Sequence, residues 1–277
     1  MSGEFLEAMA SGSRARVQAA RRLHPEAALE VAARRTPPAP GLRLAASGFD
    51  LIAEVKLRSP AAGQLGAAAD DLAARVTAYA RGGAAAVSVL TEPSRFDGAL
   101  DHLVRAARAL APLGVPAMRK DFLVEPYQVL EARAAGAGGV LVILRMLSRE
   151  ELDALLDCAA SLGLFVLLEA FDAPDIELMH ELIDADGGAS QLLAGVNCRD
   201  LGTLEVVPAR LTQLAPLLPA HVPRVAESGV ATAADAQRIS EAGYQLALVG
   251  SALMQGGEPQ ALTAKLLAAG RATRQAP

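Results

Sequence analysis

From residue 50 onward the chain alternates between short apolar runs rich in Val, Ile and Leu and longer segments in which Ala, Leu and Arg recur at helical spacing. The apolar runs are LIAEVK (51–56), AAVSVL (85–90), VPAMRK (115–120), GVLVIL (139–144), LFVLLE (164–169), LLAGVN (192–197), PRVAES (223–228) and LALVGS (246–251). Read as strands, they number eight. Between them DLAARVTAYARGG, EPYQVLEARAAGAGG, SREELDALLDCAASLG and ATAADAQRISEAG read as helices, each closing on Gly where a left-handed cap is expected. Repeated strand–helix units build a parallel sheet, and eight of them over about 250 residues predict the α/β class and a closed (β/α)8 TIM barrel. An open doubly wound sheet is the alternative. Its glycine-rich turn after the first strand is missing, and the count of eight favours closure.

Residues 1–48 stand outside this pattern. FLEAMASGSRARVQAARRL and PEAALEVAARR read as helices, and TPPAPG breaks the chain before the first strand. We read them as an N-terminal helical cap on a single barrel domain spanning residues 1–277.

Side chains on a strand alternate faces, so Ile52, Glu54 and Lys56 point one way and Ala53 and Val55 the other. In a barrel the charged set belongs inside, at the C-terminal mouth. The same parity groups Pro116, Met118 and Lys120 on the third strand, Phe165, Leu167 and Glu169 on the fifth, and Val225 and Glu227 on the seventh. The sixth strand adds Gly195, Asn197 and, just past its end, Arg199. The predicted mouth therefore holds two lysines, one arginine and three carboxylates. One such charge alone reads as a solvated group or a plain ion pair. The set reads as an active site, because barrel active sites are built from strand C-termini. Desolvation lowers a lysine's pKa and raises a carboxylate's, while opposite neighbours push each back, so such a cluster can hold acids and bases near neutrality. The last two strands run into AESGV (226–230) and LVGSALM (248–254), small residues expected to open short helices whose N–H groups hold a phosphate; a tight turn is the other reading of either pair alone, and the two together favour phosphate.

Composition narrows the ligand. The chain has 277 residues, 52% of them hydrophobic, with a net charge of −5 and a pI near 5.5. No basic stripe interleaved with aromatics appears, which argues against nucleic acid or an anionic membrane and for a small molecule. Cys158 and Cys198 form no CxxC pair and the opening MSGEFLEAMA lacks a signal-peptide apolar region, so a reducing, cytoplasmic location is expected. The longest apolar stretches, AGGVLVIL and LGLFVLL, fall short of the roughly 18 to 20 residues of a membrane span. His24, His102, His180 and His221 show no ligand spacing such as HExxH, so no metal site is expected.

The segments EVKLRSP, VLTEPSRFDG, RKDFLVEPYQVLEARAAGA, LLEA, GVNCRDLGTLEV, VAESGV and LVGSALM resemble, in order, the indole-3-glycerol phosphate synthase family. RKDFLVEPYQVLEARAAGA is the most specific of them, while the Ser-Gly and Gly-Ser pairs are shared with other phosphate-binding barrels. The resemblance implies conversion of 1-(2-carboxyphenylamino)-1-deoxyribulose 5-phosphate to indole-3-glycerol phosphate with loss of carbon dioxide and water, without metal or organic cofactor. By the same resemblance Lys120 is the general acid of ring closure, Glu169 serves the aniline side and later proton transfers, and Lys56 holds the substrate carboxylate and acts in dehydration. Glu54 and Glu227 position the lysines, and Asn197 and Arg199 are polar contacts to substrate. Phe122 walls the anthranilate ring. Ser59 lies on a mobile loop expected to close over the substrate, and Ser228, Gly229, Gly250 and Ser251 hold the phosphate.

The chain departs from the family pattern in four places. The loop reads SPAAG where SPSKG is common, the fifth strand continues EAF where another pair usually follows the Glu, Cys198 replaces a usual Asn or Ser, and DGAL stands where Gly-Ser is common. None touches the inferred acid or base, so changed loop closure, rate or ring-pocket detail is expected and not loss of activity. Cys198 lies on the opposite parity from Asn197 and Arg199 and reads as a passive buried thiol.

Two other functions are weighed. A barrel like the sister phosphoribosylanthranilate isomerase is expected to use a Cys and Asp pair, and Lys56 at the end of the first strand counts against it. A non-catalytic barrel that binds a phosphorylated metabolite is expected to have lost Lys120 or Glu169, and both are present. A phosphorylated small molecule is the expected partner; a monomer is expected, with a homodimer as the alternative.

Overall fold

In the computed structural model, which describes residues 2–46, 48–61, 63–65 and 71–273, the eight expected strands close into a parallel barrel. They are β1 (Asp50–Val55), β2 (Ala86–Leu90), β3 (Ala117–Lys120), β4 (Gly139–Ile143), β5 (Phe165–Ala170), β6 (Leu192–Asn197), β7 (Arg224–Glu227) and β8 (Leu246–Val249). Each pairs with the next, and β8 closes on β1 with Ile52 opposite Leu248. Strand ends differ from the expected ones by a residue or two, because the hydrogen-bond ladder and the apolar run do not stop together. Lys56, Ser228, Gly250 and Ser251 consequently stand just beyond strand ends and not within strands. β3 starts late, at Ala117, after a Pro116 that has no N–H to give the ladder. An unexpected element follows β1: Arg58–Ser59 pairs antiparallel with Gly63–Gln64.

Parity sorts the core into two layers. Ala53, Val55, Val87, Val140, Val166 and Val196 face outward and pack under the helices. Ile52, Ala86, Met118, Leu141, Phe165, Leu167, Leu193, Val225 and Leu246 fill the barrel interior. Phe165 fits across the axis because its register partner on β4 is Gly139, where a Cβ would overlap the ring. The helices between strands end as expected, with Gly83, Gly136, Gly163 and Gly243 at positive φ just past them.

The N-terminal segment forms two helices, α1 (Ser2–Leu23) and α2 (Glu26–Arg35), as expected. It runs from one end of the barrel to the other. At the mouth, the Ser13 hydroxyl donates to the Phe122 carbonyl at 2.5 Å and Gln128 donates to Ser13 at 2.8 Å. Arg16 donates to Asp121 at 2.6 Å and to Glu92 at 3.3 Å. Asp121 and Glu92 are buried, so this guanidinium offsets carboxylate charge that would otherwise be costly. α2 packs along the helix Pro126–Ala134, and the following linker passes beneath the barrel, where the Gln191 amide donates to the Leu42 carbonyl.

Candidate active site

A cavity of about 310 Å³ opens at the C-terminal mouth. All six charged groups expected there line it: Glu54, Lys56, Lys120, Glu169, Arg199 and Glu227. They arrive from β1, β3, β5, β6 and β7 because every one continues the inward parity of its strand. Two clusters form. Lys120 Nζ lies 3.1 Å from Glu169 and 3.4 Å from Glu227, and Lys56 Nζ lies 2.7 Å from Glu54. The three carboxylates are 2%, 2% and 1% exposed, so both lysines are held by groups with almost no water of their own.

Two glycines make room for these charges. A Cβ on Gly195 would lie 2.5 Å from Glu227 Oε1, and one on Gly250 would overlap the Glu54 carboxylate and stand 3.0 Å from Lys56 Nζ. Parity placed Gly195 in the mouth, and the phosphate pattern singled out Gly250. Neither revealed that the missing side chain seats a carboxylate.

Burial alone would lower the Lys120 pKa, but the facing charges of Glu169, Glu227 and Glu54 outweigh it and hold the ammonium above the ordinary lysine range. Burial pushes Glu227 up to about 8, with repulsion from Glu169 adding to it and Lys120 opposing. Glu227 Oε1 and Glu54 Oε2 accept from no protein donor.

Also lining the cavity, Ser228 and Gly229 form a turn at φ values of 69° and 71°. The short helix expected after the seventh strand is absent. Thr232 and Asp235 form a capping box that delays the next helix to Ala233–Glu241, so Ser228 and Gly229 present a turn and no helix start. After β8 the expected short helix is found, Ser251–Gln255, with Gly250 at its cap.

Phe122 lines the cavity and forms one side of it with two aromatics that the sequence reading missed. Phe5 meets it edge-on at 6.0 Å between ring centroids, and Phe96 lies at 6.2 Å. Phe5 comes from α1, which Ser13 and Arg16 pin at the mouth and whose Leu6 and Met9 are buried in the core. Nothing in the surrounding residues marks it.

Ser59 is buried and lines the pocket from the Arg58–Ser59 hairpin. Arg58 turns away and pairs with Asp97 at 3.5 Å. Of the unusual loop residues, Ala61 lines the pocket and Ala62 lies outside the described residues. Phe171 also lines the pocket, with the Arg145 guanidinium 4.8 Å above its ring. Cys198 is fully buried on the outer face, as its parity required.

Asn197 and Arg199 reach the cavity but are occupied by protein partners. Asn197 donates to Glu169 at 2.7 Å, and the Arg199 guanidinium donates to the carbonyl of Leu204 at 2.8 Å. Leu204 sits at φ 63°, and Arg199 braces it. Arg210, absent from the sequence reading, donates to the carbonyls of Asn197 and Arg199 at 3.4 and 3.3 Å. Among the described residues no helix is long and apolar enough to cross a membrane.

A sequence profile described as indole-3-glycerol phosphate synthase matches residues 6–266. The chain belongs to the indole-3-glycerol phosphate synthase family. Membership makes it an enzyme, a carboxy-lyase of tryptophan biosynthesis. The indole-3-glycerol phosphate synthase of a Parafrankia species is 43% identical over 96% of this chain and 96% of its own length. That of Kineococcus radiotolerans is 45% identical over 80% of this chain and 77% of its own length. Among solved structures, 3-hexulose-6-phosphate synthase from Salmonella typhimurium superposes with a TM-score of 0.61 at 14% identity, covering 81% of this chain and all 100% of that one. Dihydropteroate synthase from Xanthomonas albilineans gives 0.60 at 16% identity, over 86% of this chain and 100% of that one. At such identities these two show the barrel fold alone. The family read from RKDFLVEPYQVLEARAAGA and its companions therefore stands, and the sister isomerase does not.

Proposed function

We propose that this chain closes the indole ring of its substrate at the mouth described above. In this reading the chain converts 1-(2-carboxyphenylamino)-1-deoxyribulose 5-phosphate to indole-3-glycerol phosphate, carbon dioxide and water. The phosphate seats on Ser228, Gly229, Gly250 and Ser251, with Ser59 at the hairpin beside them. The aromatic ring lies against Phe122, between Phe5 and Phe96, and Lys56 pairs with the ring carboxylate. Holding both ends fixes the carboxylate-bearing ring carbon against the ketone carbon, and that placement lowers the barrier by fixing the two reacting carbons in contact.

The new carbon–carbon bond pushes electrons onto the ketone oxygen, and Lys120 supplies the proton. The carboxylates around Lys120 keep it protonated, and the developing alkoxide is more basic than any amine, so the proton moves downhill. Carbon dioxide leaves and the ring regains aromaticity. Lys56 then protonates the departing hydroxyl while Glu169 removes the proton whose loss completes the double bond. Glu54 and Glu227 position the two lysines. Arg199 shapes the wall through Leu204.

The observation that carries this reading is Lys120 held between Glu169 and Glu227 in the cavity that the Ser228–Gly229 turn also lines. Purified protein given the carboxyphenylamino deoxyribulose phosphate is expected to develop indole fluorescence. K120A is expected to lose about 100-fold to 10,000-fold in kcat with its fold intact. No product from the wild type would sink the reaction, and full turnover by K120A would sink the assigned acid.

A further inference from the structure

Asn197, at the end of β6, has spent nearly all of its hydrogen-bonding capacity on protein. Its Oδ1 accepts from the Arg199 backbone N–H and from the Ser228 hydroxyl, each at 2.9 Å, and its Nδ2 donates to Glu169 Oε1 at 2.7 Å. A backbone N–H can only donate and a carboxylate oxygen accepts, so these neighbours fix which way the amide points. Both acceptor positions of Oδ1 are filled, and one Nδ2 hydrogen remains. β6 lies between β5, which carries Glu169, and β7, which runs into Ser228. Ser228 itself sits at φ 69°, a region that a residue with a side chain occupies only where its surroundings hold it there.

We propose that Asn197 is a positioning residue that couples the phosphate seat to Glu169. The inference rests on the reading of Ser228–Gly229 as that seat. A phosphate oxygen there takes the Ser228 hydroxyl as its own donor and withdraws it from Asn197. Hydrogen bonds in a chain reinforce one another, so an amide oxygen that loses a donor leaves its N–H a weaker donor. Glu169 then accepts a weaker hydrogen bond once the substrate's phosphate is in place, which leaves its oxygen freer to take the proton it must remove. By linkage, neutralising Glu169 must tighten phosphate.

Charge acts in the same direction without any relay, because Glu169 repels a dianion through space. Glu169 faces Lys120, which Glu227 shares, and these charges work whether or not Asn197 is present. A comparison of backgrounds separates the two effects. Inorganic phosphate is titrated by calorimetry into the wild type, E169Q, N197A and the N197A/E169Q double variant. The tightening caused by E169Q is expected to be at least about twofold larger with Asn197 in place than in the N197A background. S228A cuts the same relay from its other end, and the E169Q effect in the S228A background is expected to shrink equally, which also covers a poorly folding N197A. An E169Q effect of equal size in all three backgrounds overturns the coupling. Phosphate that binds none of these proteins removes the seat itself, and the assignment of Ser228–Gly229 goes with it.

Discussion

The barrel interior contains two regions built on one side-chain parity. In the lower one Ile52, Met118, Leu141, Phe165, Val225 and Leu246 fill the axis, and none is charged. One alternation further along the same strands stand Glu54 and Glu227, buried nearly as deeply, and Lys120, which is partly open to the cavity. The plug closes the site from below, so the upper carboxylates meet solvent only through the cavity. This one-sided burial is what lifts Glu227 and makes Lys120 a shared counter-ion. Stability is expected to reside in the lower region and reactivity in the upper, and substitutions in each test that division.

The largest stability effect is expected at the plug. Phe165→Ala removes a ring that is 3% exposed and leaves a cavity on the axis, costing about 3–5 kcal/mol. Urea unfolding measures this, and kcat at a temperature where both proteins are folded is expected to change by less than about threefold. A collapse of turnover without loss of stability would break the division.

Gly195→Ala is the converse. The added methyl meets Glu227 Oε1, so the carboxylate must shift, and the Oε2 that faces Lys120 moves with it. A displacement of this kind is worth about 100-fold in kcat/KM. Unfolding free energy should move far less than for Phe165→Ala, and an active Gly195→Ala protein would show that the carboxylate position is not critical.

Glu227 links the two regions through pH. Its folded pKa, about 8, lies above the ordinary 4.5, so the native state keeps a proton that the unfolded chain releases as pH rises between those values. Folding stability contributed at this site is therefore present at low pH and lost as pH climbs through that window. E227Q has no such proton. Thermal melts from pH 5 to pH 8 should show the melting temperature of E227Q gaining on the wild type as pH rises, by several degrees. Parallel curves would mean that Glu227 titrates as an ordinary carboxylate.

Much of this was legible in the sequence because it is local. A period of two needs only neighbouring residues, so Glu54, Lys120, Glu169 and Glu227 could be placed inside before any contact was known. Phe5 could not, since its position depends on Arg16 meeting Asp121, 105 residues away. The partners of Asn197 and Arg199 were hidden for the same reason, as they come from other strands and from a loop conformation. The helix expected at Ser228 is a different kind of miss. The capping box from Thr232 to Asp235 marks the start of the helix already legible in ATAADAQRISEAG, and Ser228–Gly229 takes the tight turn that a Ser-Gly pair also allows.

Cys198 tests whether the regions divide by height or by face. It follows Asn197 directly, at the level of the charged mouth, yet it points outward into the core under the helices and is fully buried. Its sulfur would stand 3.1 Å from a Cβ on Gly229, so it packs beneath the Ser228–Gly229 turn without entering the cavity. Burial pushes its thiol up to about 11, which leaves little thiolate at neutral pH for redox or nucleophilic chemistry. If face decides, C198A behaves as a plug residue despite its height, losing about 1 kcal/mol of stability and less than about twofold in kcat/KM. If height decides, the same change costs turnover, and the charged mouth then extends through the barrel wall to the residues that support the Ser228–Gly229 turn from behind.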